Sequence, residues 1–249
     1  MLDIVTSSDF HGHLPKITKP FDLMLLAGDL EPATNHNFYY QRDWYKMVFV
    51  PWVQNLPFKN VWSKVIFIAG NHSRFLAQEQ HSDLVKELER KCNGRLKYLH
   101  NEYYETEHLD EDTGDIVTLK IFGTPYCKIF GDWWNMLTPD GLYKVYSEIP
   151  ENVDILLSHD APLGTCDVCY GLKEFGITPE HIGNRQLADA IIVKSPRICL
   201  VGHLHSANHN WEQLAQTQVR QVSYLNERYQ PTYEPFYFKW KDGIVQDGD

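Results

Sequence analysis

The chain has 249 residues, 43% of them hydrophobic, and a formal net charge of −10, so it holds enough apolar material for a globular core. The acidic balance argues against a protein that coats nucleic acid, which draws on clustered lysine and arginine. No run approaches the roughly 18 consecutive apolar residues of a membrane helix. The N-terminus, MLDIVTSSDF, has no basic region or cleavage-like site, and the five cysteines are an odd number. A reducing, cytoplasmic setting without a secretory signal is therefore expected.

In chain order, DIVTSSDFHGH is a short apolar strand ending at Asp9 and His11. FDLMLLAGDLEP is a second such strand, ending at Gly28 and Asp29. NFYYQRDWYKMVFVPWVQNL has helical character, and the strand in VIFIAGNHS stops at Gly70, Asn71 and His72. SDLVKELERKCNG is a helix with Gly94 as its stop. LKYLHNEYYETEHLDEDTGDIVTLKIFGTPYC reads as extended segments around a polar turn, a hairpin. Asp110, Asp112 and Asp115 at its tip lack the glycine placement and closing glutamate of an EF-hand, so the tip is read as solvated. VDILLSHDAP is a strand closing on Ser158 and His159, GNRQLADAIIVKS a helix, and ICLVGHLHS a strand closing on His203 and His205. TQVRQVSYLNERYQPTYEPFYFKWKDG is a final extended region. No linker or repeat divides the chain, and one domain, 1–249, is expected.

Strands alternating with helices imply an α/β sheet with parallel character, whose strand carboxyl ends gather a ligand site. Each of the five strands stops at a small residue followed by Asp, Asn or His. Side chains alternate along an extended chain, so His203 and His205 are expected on one side. A lone Asp after a strand is commonly a helix cap, and a lone His more often a hydrogen-bonded structural residue than a ligand. That second reading is taken for His13, His36, His81, His100, His108, His181 and His209. CDVC, from Cys166 to Cys169, lacks the second pair that a structural zinc site needs and is read as ordinary thiols. The set Asp9, His11, Asp29, Asn71, His159, His203 and His205 is too large to arise from capping alone.

Imidazole nitrogen mixed with carboxylate and amide oxygen suits Mn, Fe, Ni or Zn. Two divalent ions sharing one bridging carboxylate would use the whole set, about 3.5–4 Å apart. Mn is favoured, with Fe, Ni, Zn or Mg as alternatives. Roughly +4 from two ions, less about 2 from two aspartates, leaves a site near +2 for an anion. Water on such ions gives hydroxide near neutral pH, so metal-assisted phosphate-ester hydrolysis is expected. His72, beside Asn71, is the expected proton donor to the leaving oxygen.

DFH, GD, GNH, SHD and GHLH, in that order, resemble the calcineurin-like metallophosphoesterase superfamily. FVPWVQNLP, IFGTPYC, HDAPLGTCD, GNRQLADAI and VSYLNERYQPTYEPFYF are similar to its small metallophosphoesterase-domain phosphodiesterases. The resemblance implies two packed mixed β-sheets flanked by helices, a four-layer sandwich with a dinuclear site at one end. It implies that Asp9, His11 and His205 hold the first metal, that Asn71, His159 and His203 hold the second, and that Asp29 bridges them. His72 would contact the scissile phosphate, making His72 and Asn71 the catalytic candidates. The implied substrate is a small phosphate ester, a cyclic nucleotide or similar diester.

Two departures stand out. Ser73 follows GNH where such families usually carry an acid that orients the histidine, and GDLEPATNH lacks the Asp-Arg-Gly of the Ser/Thr protein phosphatases, which disfavours a phosphoprotein substrate. A non-catalytic scaffold is the alternative class, opposed by the complete ligand set. A nuclease is a third, opposed by the net charge of −10. In FGDWWNM, Phe130, Trp133 and Trp134 offer either a stacking surface for a base or aromatic leaving group or ordinary core packing.

Overall fold

A computed structural model describes residues 1–176, 178, 180–241 and 244–247. Two short apolar runs open it as β1 (Leu2–Ser7) and β2 (Leu23–Leu26). The helical segment follows as α1 (Phe38–Trp44), one wide π-type turn (Tyr45–Phe49) and α2 (Val50–Gln54). Pro51 cannot donate to the carbonyl one turn back, and the widened turn before it relieves that conflict. Next come β3 (Lys64–Phe67), α3 (Arg74–Gln78), α4 (Asp83–Lys91) and β4 (Leu96–Tyr98). Gly94 takes φ of 74° past α4, the left-handed stop expected of it.

The hairpin forms as β5 (Glu102–Leu109) and β6 (Ile116–Thr124), paired antiparallel. At its tip Asp110 pairs with the N-terminal amine. Two-residue strands β7 (Cys127–Lys128) and β8 (Met136–Leu137) precede α5 (Pro139–Ser147). Helix α5 was not anticipated. Its signal was present as Thr138 capping Gly141 N–H with Pro139 at the first helical position. The remainder comprises β9 (Ile155–Ser158), a 3₁₀ segment (Tyr170–Phe175), α6 (Arg185–Lys194), β10 (Ile198–Val201), β11 (Glu212–Leu214), β12 (Thr217–Gln221), β13 (Phe236–Lys241) and β14 (Ile244–Asp247).

These strands make two six-stranded mixed sheets, ordered β14-β13-β1-β2-β3-β4 and β11-β12-β10-β9-β6-β5. Strands β1 to β4 run parallel in the first, and β12, β10, β9 and β6 in the second. Alternation decides what lies between them. Ile4, Leu25, Ile66 and Ile68 from the first sheet meet Ile121, Ile155, Leu157 and Leu200 from the second in one buried layer. Neighbouring residues face outward: Val5, Met24, Leu26 and Phe67 pack under Tyr45, Phe49, Val53 and Leu88 of the helices. On the far side Leu156, Cys199 and Val201 pack under Tyr146, Leu187 and Ile191. Strands β2, β3, β9 and β10 are buried on both faces, hence their unbroken apolar runs. The layers are helix, sheet, sheet, helix.

Candidate metal centre

Strands β1, β2 and β3 of one sheet and β9 and β10 of the other end at the same place, so the loops beyond them converge. Asp9, His11, Asp29 and His203 all hold positive φ, at 53°, 42°, 51° and 69°. Non-glycine residues rarely occupy that region, and a cluster of them marks backbone bent to aim side chains. The chain is not extended at His203, so alternation is not what aims His203 and His205; both nevertheless line one cavity, each in a different cluster.

One cluster joins Asp9, His11 and His205; another joins Asp9, Asp29 and His159; His203 lies with His159 and Cys127. Within each, the candidate ligand atoms are within 4.8 Å of one another. Asn71 enters through its Oδ1, 3.0 Å from His159 Nε2. His159 Nε2 is also 3.3 Å from Asp29 Oδ2, and His205 Nε2 is 3.3 Å from Asp9 Oδ1. The structure thus brings all seven sequence-derived residues together, with His72 at their edge.

Neighbouring backbone fixes which nitrogen faces inward. His159 Nδ1 donates to Ala27 O at 2.7 Å and His205 Nδ1 to Asn226 O at 2.9 Å, leaving Nε2 of each free to act as a ligand. His203 N–H donates to Asp9 Oδ2 at 3.0 Å, Ser223 Oγ donates to the same oxygen at 3.1 Å, and His72 N–H donates to Asp29 Oδ1 at 2.9 Å. The small residues leave room: a Cβ on Gly28 would lie 2.5 Å from His159 Nδ1, and one on Gly202 2.6 Å from Asp9 Oδ2.

Burial disfavours charge throughout, and the aspartates reverse that for selected imidazoles. Burial works against a charged His159, yet Asp29 and then Asp9 outweigh it and raise the group to about 9. At His11 and His203 burial outweighs the pull of the neighbouring aspartates and drives the groups down, to about 3 and about 4. Burial also holds the Cys127 thiol well above its ordinary value, so it is a neutral neighbour. His11 Nδ1 is buried without any hydrogen-bond partner. An orphaned lone pair among imidazoles and two carboxylates is what a cation-binding donor set leaves exposed to its ion, so the residues fit a pair of divalent ions.

The cavity over these residues is about 550 Å³, and Phe130, Trp133, Lys128, Glu227 and Tyr229 share its lining with them. Phe130 and Trp133 are 51% and 38% exposed, not core, and their rings lie 5.0 Å from His203 and 4.6 Å from His72. Trp134 is turned away, stacked at 5.5 Å on His36. CDVC does not act as a pair. Cys166 Sγ points to Val219 O and Cys169 Sγ to Glu227, and all five cysteines are free and buried.

Three contributors were missed in the sequence. His36, read as structural, sets Nε2 2.8 Å from His72 Nδ1. Asp160 ties the 128–135 segment to α6 by accepting from Lys128 N–H and Asn184 Nδ2, each at 2.9 Å. Gln221 holds the GHLH loop by donating to Gly202 O at 2.7 Å and Leu204 O at 3.0 Å. Only Asp160 carried a signal, its place directly after His159. Ser73 Oγ accepts from Gly70 N–H at 3.0 Å, so it shapes the loop and does not orient the His72 ring. No helix among the described residues is long and apolar enough to cross a membrane.

A family model described as calcineurin-like phosphoesterase matches residues 3–207. The human metallophosphoesterase domain-containing protein 1 is 26% identical over 246 residues, covering 93% of this chain and 68% of that protein. One crystal structure superposes with a TM-score of 0.58 at 12% identity, over 88% of this chain and 89% of its own. The phosphopantetheinyl hydrolase of Mycobacterium tuberculosis superposes with a TM-score of 0.50 at 13% identity, over 91% and 90%. Both structures are likenesses of fold.

Proposed function

Since this chain belongs to the calcineurin-like phosphoesterase family, we propose that it is a dinuclear-metal phosphodiesterase acting on a small phosphate ester such as a cyclic nucleotide. In this reading Asp9, His11 and His205 hold one ion, Asn71, His159 and His203 the other, and Asp29 bridges them. The observation that carries it is the convergence of two histidine groups on two shared carboxylates, with the inward nitrogens set by backbone carbonyls. When bound, such a pair supplies positive charge to the ester phosphate and lowers the pKa of water, with Mn the favoured ion.

The chain's own residues account for the rest. His72 stands at the cavity with Asp29 on its backbone N–H, placed to give a proton to the leaving oxygen. Phe130 and Trp133 supply flat apolar walls, and about 550 Å³ suits a ligand of nucleotide size. Lys128 also lines the cavity, its ammonium anchored by donating to the Ile182 and Gly183 carbonyls. The test is hydrolysis of a chromogenic phosphodiester by protein loaded separately with Mn, Ni, Mg and Zn. Turnover is expected with Mn and is lost in Asn71→Ala and in His159→Ala. Protein inert on mono- and diesters with all four metals overturns the proposal.

A further inference from the structure

His72 lacks the acidic neighbour expected at position 73, and another side chain stands at its inner nitrogen. His36 Nε2 lies 2.8 Å from His72 Nδ1, with the two rings 28° apart in plane. Among the described residues this is the hydrogen bond drawn to the His72 ring. Both partners are held in place. Asn37, next to His36, caps α1 by accepting from Tyr39 and Tyr40 N–H at 2.9 and 3.2 Å. From the next turn of the same helix, buried Gln41 donates to His72 O at 2.8 Å and accepts from Phe75 N–H at 2.9 Å. Trp134 stacks on the His36 ring, and its backbone N–H donates to Asn71 O at 3.1 Å. Helix, loop and aromatic segment thus fix one imidazole against the other.

We infer that His36 is a positioning residue for His72: its Nε2 accepts the His72 Nδ1 proton and so reserves His72 Nε2, on the cavity side, for proton transfer. This rests on the reading of His72 as proton donor given above. In the transfer the His72 Nε2–H bond breaks, its electron pair stays on nitrogen, and the proton bonds to the leaving oxygen. Neutral His72 then keeps its remaining proton on Nδ1, in the bond to His36. Burial, and then the nearness of His72, push His36 below its ordinary value, so it is neutral and has a lone pair to offer. A carboxylate would also attract the charge on His72; a neutral imidazole orients it and fixes its tautomer without that pull.

Two readouts test this. The first is the ¹⁵N spectrum of the histidine rings in metal-free protein, recorded where His72 is neutral. His72 is expected to carry its proton on Nδ1 in the parent and in His36→Gln, whose side-chain oxygen can accept the same bond, and on Nε2 in His36→Ala. The second uses Mn-loaded protein and two diesters, one with an alkoxide leaving group and one with p-nitrophenolate. His36→Ala should lower kcat about 10- to 100-fold for the alkyl ester with KM held, about 3-fold or less for the nitrophenyl ester, and His36→Gln should recover part of the loss. Equal losses on both esters, or a His72 tautomer indifferent to His36, overturn the inference. If the parent hydrolyses neither ester with any metal, the phosphodiesterase reading fails instead, and the ¹⁵N result still decides the role of His36.

Discussion

Gly28 and Gly94 both hold positive φ, 97° and 74°, but only one is crowded. A Cβ at Gly94 meets nothing within 4 Å. Gly94→Ala should therefore lose only what the left-handed backbone imposes on an L side chain, about 1–2 kcal/mol. A Cβ at Gly28 would sit 2.5 Å from His159 Nδ1 and 2.7 Å from Ala69 O. The oxygen is backbone in the strand-end loop and cannot swing away, so relief must come from His159. Gly28→Ala should carry the same backbone term plus about 1–3 kcal/mol of overpacking, and should move His159 off Ala27 O and out of the cluster. Urea unfolding measures the first effect and Mn titration calorimetry the second. Gly28→Ala is expected to be the less stable variant by that margin and to bind Mn at least about 10-fold more weakly, a loss of the size seen when a ligand's orienting partner is removed. Gly94→Ala should keep the parent's affinity. Equal destabilisation with unchanged Mn binding in both would refute the view that the glycine exists to seat His159.

The exposed walls should act on substrate choice. Phe130→Ala and Trp133→Ala are each expected to raise KM about 2- to 10-fold for an aryl or nucleoside diester and to leave a small alkyl diester unchanged; equal shifts on both classes would show that the rings do not stack on the substrate. Away from the site, His100 has Nδ1 against Tyr98 OH and Nε2 against Tyr126 OH, both at 3.0 Å, and burial, then His81, holds it down to about 4. Unfolded, it titrates near 6.5. Between about pH 6.5 and 4 the unfolded chain binds a proton that the folded chain refuses, so stability falls as pH falls, by up to about 1.4 kcal/mol per unit. Urea midpoints across that window should fall more steeply for the parent than for His100→Gln, and parallel curves would contradict this assignment.

The strand ends were legible because burial on both faces writes itself as short unbroken apolar runs. Ile66, Phe67 and Ile68 face alternate layers, yet all three are buried, and the polar residues just beyond such a run have nowhere to go but the sheet edge. The pairing of strands into two sheets was not in the runs themselves and came only with the resemblance. Residues were legible where a small neighbour preceded a ligand type, as at Gly28-Asp29 and Gly70-Asn71. The reason for direction was not: alternation put His203 and His205 on one side, and both do line one cavity, but by way of a backbone turn at His203 and not an extended chain. His36 was invisible for a different reason. Its partner lies 36 positions away, and the pairing depends on where α1 begins, which no local pattern near His72 records. Glu31, two residues beyond Asp29, is buried, accepts from Tyr45 OH at 2.6 Å and is pushed up to about 7 by burial and then by Asp29. Seeing that needs the fold, because Tyr45 points there from the widened turn between α1 and α2.

The central claim is that seven side chains from five strand ends hold two ions. Anomalous scattering from Mn-loaded crystals measures this directly. Two Mn peaks about 3.5–4 Å apart are predicted, one against Asp9, His11 and His205, the other against Asn71, His159 and His203, with Asp29 between them. A single peak, none, or peaks away from these residues would contradict the account.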